Sequence, residues 1–294
     1  MKPVIFGEVL FDCFDDGSRV LGGAPFNVAW HLNALSQKPL MISSVGKDQA
    51  GDEILQRMHA WNMDKCGLQV TPRFPTGSVE VELQHGEPNY TIIEPAAWDD
   101  IQADLLPHML HMPAAILLYH GTLALRSNTN RCALQQLKQH SRVQLFIDVN
   151  LRAPWWDRQD VLCWLTDADW IKLNQHELQD LLPAISGEAA GIRHLFHQTR
   201  AHSIVLTCGK DGAKLFQRDG KHWQIRPEQA VVEQDAVGAG DAFASICLLG
   251  ILQRWPTQLM LHRAQDFAMA VIGLRGATTD DPSFYRNFRQ KWEV

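Results

Sequence analysis

Apolar and polar positions follow two rhythms along this chain. The commoner is a short, unbroken apolar run that stops at a turn. Val4-Ile5-Phe6-Gly7 opens the chain this way, and Val9-Leu10-Phe11-Asp12 continues it towards a smaller, more exposed sheet. Runs at 39–46, 114–121, 143–150, 171–174 and 203–209 repeat the pattern. Runs without polar alternation suit strands covered on both faces. Segments with helical spacing lie between them, at about 23–36, 53–61 and 128–139. The alternation predicts a mostly parallel sheet flanked by helices, with ligands at the C-terminal strand ends.

The second rhythm is confined to residues 76–94. Gly77-Ser78-Val79-Glu80-Val81-Glu82-Leu83 alternates, Gln84-His85-Gly86-Glu87 can turn, and Asn89-Tyr90-Thr91-Ile92-Ile93 resumes. That is a half-exposed hairpin, able to pair with residues near 9–22 as a small separate sheet. Further on, 242–252 is apolar throughout, and 266–277 reads as a helix followed by a glycine turn.

Composition changes this picture little. The 294 residues are 46% hydrophobic and 20% charged, enough for a large core, with no repeat, linker or low-complexity tract. A net charge of −6 argues against a nucleic-acid surface or an anionic membrane partner. Six cysteines are scattered without paired spacing, as expected of reduced thiols in a cytoplasmic protein. The N-terminus reads as a strand rather than a signal peptide, and no apolar run reaches membrane-spanning length.

The chemistry concentrates at Asp235-Ala236-Val237-Gly238-Ala239-Gly240-Asp241, which runs straight into the apolar 242–252 helix. A small-residue turn at a helix N-terminus leaves main-chain N–H groups pointing outward as a cradle for anionic oxygens. A carboxylate there repels an anion unless it serves to take a proton from an approaching nucleophile. Asp241 is therefore either a catalytic base beside Gly238, Ala239 and Gly240, or ordinary helix-terminus charge. Gly22-Gly23, followed one turn later by Asn27, would let a small polar ligand reach the backbone. Asn174 and Glu177 lie three apart, suited to one helix face and to holding the waters of Mg²⁺, or equally to capping a helix. Thr207-Cys208-Gly209-Lys210-Asp211-Gly212 ends a strand with two glycines. Asp148, Asn150 and Arg152 follow another strand and are expected at the sheet's rim, with Arg152 facing either a phosphate or a neighbouring helix. No GxxxxGK[ST] or strand-linked GxGxxG occurs, and the pairs His108/His111 and His194/His197 lack a zinc frame.

Taken in order from Gly7 to Gly276, these passages resemble the ribokinase-like (PfkB) carbohydrate kinases, with Gly22-Gly23-Ala24-Pro25-Phe26-Asn27-Val28-Ala29 nearest the fructokinase-like members. The resemblance implies a three-layer α/β/α sandwich with a mostly parallel central sheet. It also implies one kinase domain over residues 1–294, with a β lid from about 9–22 and 74–96 that could pair two subunits. By the same resemblance Asp12, Gly22, Gly23, Asn27 and Asp241 would hold the sugar, and Asn174, Thr207, Gly209, Gly212, Gly238 and Gly240 the nucleotide. Asn174 and Glu177 would serve Mg²⁺ through water, and Asp235 with the Gly276 neighbourhood a monovalent cation such as K⁺.

The implied reaction is phosphoryl transfer from ATP to a sugar's primary hydroxyl, most simply fructose to fructose 6-phosphate. Ribose, 2-keto-3-deoxygluconate or a nucleoside are other acceptors, and a catalytically weak sensor on the same fold is a further alternative. Two departures stand out. Ala236 replaces the family's Thr or Ser, and 93–99 lacks an arginine that many fructokinases and 2-keto-3-deoxygluconate kinases carry; without it a sugar acid would lack an obvious bidentate partner, which ranks a neutral sugar first.

Overall fold

The computed structural model describes residues 1–84, 87–106, 115–139, 142–227 and 238–294, with backbone alone at 82–84 and 87–89. The strands are β1 (Lys2–Phe6), β2 (Leu10–Phe14), β3 (Arg19–Gly22), β4 (Leu40–Gly46), β5 (Leu68–Thr71), β6 (Gly77–Gln84), β7 (Glu87–Ile92), β8 (Ile116–His120), β9 (Val143–Asp148), β10 (Trp170–Asn174), β11 (Ser203–Thr207), β12 (Ala213–Gln217) and β13 (His222–Ile225). The helices, in chain order, are α1 (Ala24–Ala34), α2 (Gln49–Ala60), α3 (Asn128–Lys138), α4 (Arg158–Leu165), α5 (Gln175–Leu181), α6 (Glu188–Gln198), α7 (Ala239–Gln253), α8 (Thr257–Ile272) and α9 (Pro282–Trp292).

One nine-stranded sheet runs in the order β13-β12-β11-β10-β9-β8-β1-β4-β5. It is parallel from β11 through β5, and the antiparallel pair β12 and β13 closes one edge. Its unbroken apolar strands have the predicted cause. Val4 and Phe6 of β1 enter the core on one face with α3 to α6, while Ile5 between them enters the opposite core with α1, α7, α8 and α9.

α7 is buried from Ala242 to Gly250, hydrophobic all round because sheet, α1 and α8 enclose it. Gly250 permits its close approach to α8, since a Cβ there would run into Met260. The helix starting at Gln49 begins four residues before the expected Glu53. Asp48 caps it, accepting from the Gly51 N–H at 2.8 Å, and also accepts from the Thr76 N–H and hydroxyl.

The second rhythm becomes a second sheet, in the order β3-β2-β6-β7. β2 and β6 pair in parallel, so the chain leaves for the main sheet and returns between them. This four-stranded sheet stands over the C-terminal end of β1, where the chain turns at Gly7 and Glu8. The ends of β9, β10 and β11 and the N-terminus of α7 complete that rim. Among the described residues no helix is long and apolar enough to cross a membrane.

Candidate active site

Gly238 caps α7 in the left-handed conformation, φ 83°. The first helical bond runs from the Ala242 N–H to the Gly238 carbonyl at 2.8 Å. The amides of Ala239, Gly240 and Asp241 precede it and have no place in the helical ladder. Gly238 and Gly240 are glycines for different reasons. A Cβ on Gly238 would lie 2.5 Å from the Ala277 Cα, whereas one on Gly240 would meet only the Lys172 ammonium, at 3.6 Å. The fold demands the first glycine; the second leaves room above an exposed backbone. Asp235, Ala236 and Val237 lie outside the described residues.

Asp241 stands in the first turn. Asn27, buried in α1, donates its amide to one Asp241 oxygen at 2.8 Å. Some Asp241 surface stays open to solvent, yet protein atoms surround the carboxyl closely. Burial raises its pKa from 3.8 to about 6; the Asn27 bond and the Lys172 and Arg152 charges pull it down, and the Asp148 charge pushes it up. The cradle and the carboxylate therefore occur together. Asp12 from β2, Gly22 at the end of β3 and Asn27 line one cavity of about 430 Å³, with Phe14 and Tyr90 of the small sheet and the turn Arg275, Gly276, Ala277. Gly23, with φ 104°, is the N-cap of α1, and a Cβ there would lie 2.7 Å from the Glu8 carbonyl.

On the other side of Asp241, Asp148 has a partner that the sequence reading passed over. Lys172, within β10, donates to both oxygens of Asp148 at 2.9 and 2.8 Å, and the Tyr119 hydroxyl adds a third bond at 3.2 Å. Asp148, the last residue of β9, stands at the expected rim but is buried there, 1% exposed, rather than projecting from it. Burial disfavours the Lys172 charge, but Asp148 more than compensates and the net shift is upward.

Glu8 was passed over as well. It is 3% exposed, one of its oxygens has no hydrogen-bond partner among the described residues, and burial lifts its pKa from 4.5 to about 7 despite a bond to its own backbone and the Arg152 charge. Both residues had a signal: each is a charge set inside an apolar run. Arg152 itself is exposed, and its charge is felt by Asp241 and Glu8 rather than spent on a neighbouring helix. Near 93–99 an arginine arrives from elsewhere. Arg126 pairs with both Asp99 oxygens at 2.8 Å and donates to the Ile93 carbonyl, so its charge is already matched.

Asn174 and Glu177 form the reciprocal cap of α5. Asn174 accepts from the Glu177 N–H at 2.9 Å, and Glu177 accepts from the Asn174 N–H at 2.8 Å and the Leu151 N–H at 3.0 Å. Each Glu177 oxygen thus has one backbone donor and keeps a lone pair for water. Burial, then the Asp148 charge, raises its pKa. Thr207 pairs with Asn174 across β10 and β11. In the following turn Gly209, φ 55°, opens to free space, while a Cβ on Gly212 would strike the Ile225 carbonyl. Gly212 is therefore set by packing, whereas a Cβ on Gly209 would meet nothing among the described residues. Among the described residues no three His, Cys, Asp or Glu groups converge as a metal cage.

A profile for the pfkB family of carbohydrate kinases matches residues 14–283. A fructokinase from Klebsiella pneumoniae is 30% identical over 288 residues, covering 92% of this chain and 90% of its own. A 5-dehydro-2-deoxygluconokinase from Clostridium perfringens is 25% identical over 291 residues, covering 90% and 82%. The crystal structure of a fructokinase double mutant from Vibrio cholerae O395, in its fructose-, ADP- and potassium-bound form, superposes with a TM-score of 0.82 at 25% identity. That match covers 97% of this chain and 98% of the other.

Proposed function

The chain belongs to the pfkB family of carbohydrate kinases, and we propose that it phosphorylates the primary hydroxyl of a neutral monosaccharide, with fructose to fructose 6-phosphate as first choice. The observation that carries the reading is Asp241, held by Asn27 beside the outward-facing amides of Ala239 and Gly240. In the proposed reaction the sugar's primary hydroxyl donates its hydrogen bond to Asp241 and attacks the γ-phosphorus of ATP in line. A carboxyl with a pKa of about 6 is ionised at neutral pH and more basic than an ordinary aspartate, which suits a general base. As the bond to ADP breaks, charge on the phosphoryl oxygens is met by the cradle amides and the α7 dipole. Asp241 takes the proton, and ADP and the sugar phosphate leave.

The other roles follow from position. Asp12, Gly22 and Asn27 would hold sugar hydroxyls in the cavity they share, with Gly23 setting the start of α1. Thr207 and Gly209 would approach the nucleotide. Asn174 and Glu177 would hold waters of Mg²⁺, which supplies charge neutralisation on the phosphates. Asp235 would serve a monovalent cation, as potassium accompanies the Vibrio enzyme. The small sheet would act as a lid excluding water over a single catalytic domain, with its outer face available to a second subunit. The matched charge of Arg126 favours a neutral sugar over a sugar acid.

Release of ADP tests the reading across fructose, other hexoses, ribose, 2-keto-3-deoxygluconate, 5-dehydro-2-deoxygluconate and nucleosides. Fructose is expected to give the highest kcat/KM. A sugar acid or nucleoside in first place replaces the substrate. Sugar binding without turnover on any acceptor replaces the enzyme reading with that of a sensor.

A further inference from the structure

α1 reaches the reaction centre at two points, one at Asp241 and one at the turn that backs the cradle. Asn27 holds Asp241. One turn later His31, fully buried, places Nε2 at 3.1 Å from the Ala277 carbonyl and Nδ1 at 3.0 Å from the Tyr285 hydroxyl. A carbonyl can only accept, so Nε2 carries the hydrogen, and Nδ1 is left to accept from the phenol. Burial, partly offset by the Ala277 bond, drops the ring's pKa to about 3 and keeps it neutral. Next to it the Trp30 indole N–H donates to the Thr279 carbonyl at 2.9 Å. The 276–279 turn, which follows α8, is thereby fastened to α1. Ala277 in that turn is the residue backed against Gly238, the N-cap of the cradle helix.

We propose that His31 is a positioning residue on the donor side of the reaction, a strut holding the 276–279 turn against Gly238. A residue of the sugar-facing helix then sets how tightly nucleotide phosphates are held. The inference rests on the phosphoryl-transfer reading only in taking the Gly238 end of α7 as the nucleotide's. His31 touches no substrate, so its removal acts through Ala277, which backs on Gly238 and whose turn also lines the cavity of Asp12 and Asn27.

Calorimetric titration with ADP, which needs no acceptor, tests this in wild type, His31→Leu and His31→Gln. Leucine fills the space without offering a hydrogen to Ala277. Glutamine replaces the Nε2 donor and the Nδ1 acceptor with an amide N–H and oxygen. ADP affinity is expected to weaken about fivefold or more with leucine and to stay within about twofold with glutamine. KM for fructose is expected to rise less than the ADP dissociation constant with leucine, because Ala277 lines the sugar cavity but backs directly on Gly238. Unchanged ADP affinity in His31→Leu overturns the proposal, as does a fructose KM that rises in step, or glutamine performing no better than leucine. Should His31→Leu fail to fold, Tyr285→Phe removes the hydroxyl that orients the ring and that also meets Thr279 of the same turn and Trp30. It is expected to weaken ADP binding about two- to threefold with a smaller change in the fructose KM, and wild-type ADP affinity there overturns the strut. A wild type that binds ADP but phosphorylates no acceptor leaves the ADP comparison standing and sinks the substrate reading instead; one that binds no ADP overturns both.

Discussion

Two buried carboxylate sites meet at the N-terminus of α7, and the fold treats them in opposite ways. Asp148 is saturated: Lys172 grips both oxygens and Tyr119 adds a further donor. Glu8 and Asp241 are not. Asp241 has the Asn27 amide, the Asn27 oxygen and one Glu8 oxygen have no hydrogen-bond partner among the described residues, and both acids have pKa values pushed up by burial. A buried acid with a full set of partners is fixed in charge and place. One left short of partners stays near the point of exchanging its proton, which costs stability but suits chemistry. The difference separates a carboxylate held in place by its partners from two whose protons burial makes easier to keep.

The sharpest way to break this contrast is Asp241→Asn. The amide keeps the shape and can still bond Asn27, but it cannot take a proton at neutral pH. We expect kcat to fall by about 10²- to 10⁴-fold, with fructose and ADP binding retained. The wild-type rate should rise with pH through a limb near 6, where the acid loses its proton. A loss under about tenfold, or no limb, reduces Asp241 to helix-terminus charge. On the saturated side the expected effect is on stability. Lys172→Met strands Asp148 as an unpaired buried charge and should cost about 3–5 kcal/mol in urea unfolding at pH 7. A cost near zero means that Asp148 finds water or another partner, and the contrast between the two sites dissolves.

How much of this the sequence carried depends on whether the signal was local. The apolar runs are present because strands in a sheet covered on both faces have no polar side to show, so the main sheet was legible strand by strand. The β6–β7 hairpin was equally legible from its alternation, and the start of α7 from its glycines, since both depend on neighbouring residues. The burial of Asp148 was missed because its partner lies 24 residues on, and only the pairing of β9 with β10 brings Lys172 beside it. His31 and Ala277 were missed for the same reason. Their meaning comes from contacts between α1, α7 and the turn after α8, which no window of sequence contains. Glycine alone could not separate Gly238 from Gly240, or Gly212 from Gly209; what a Cβ would strike does.

The smallest effect bears most directly on the unsaturated site. Glu8 has a folded pKa of about 7 against an ordinary 4.5. Below the ordinary value the carboxyl is neutral folded or unfolded and imposes no penalty. Between the two values the unfolded chain releases the proton and the folded one keeps it, so stability falls as pH rises, and above about 7 the loss is complete. Glu8→Gln removes the ionisation and should therefore raise stability at pH 8 while leaving it nearly unchanged at pH 4.5. The gain at pH 8 is expected at about 1–3 kcal/mol, reduced by whatever the new amide leaves unbonded. A variant less stable at pH 8 than at pH 4.5, relative to wild type, would mean that the charged carboxylate is wanted in the fold. Glu8 would then belong with Asp148, as a partner to Arg152 and Arg126, and Asp241 alone would remain the under-bonded acid at the cradle.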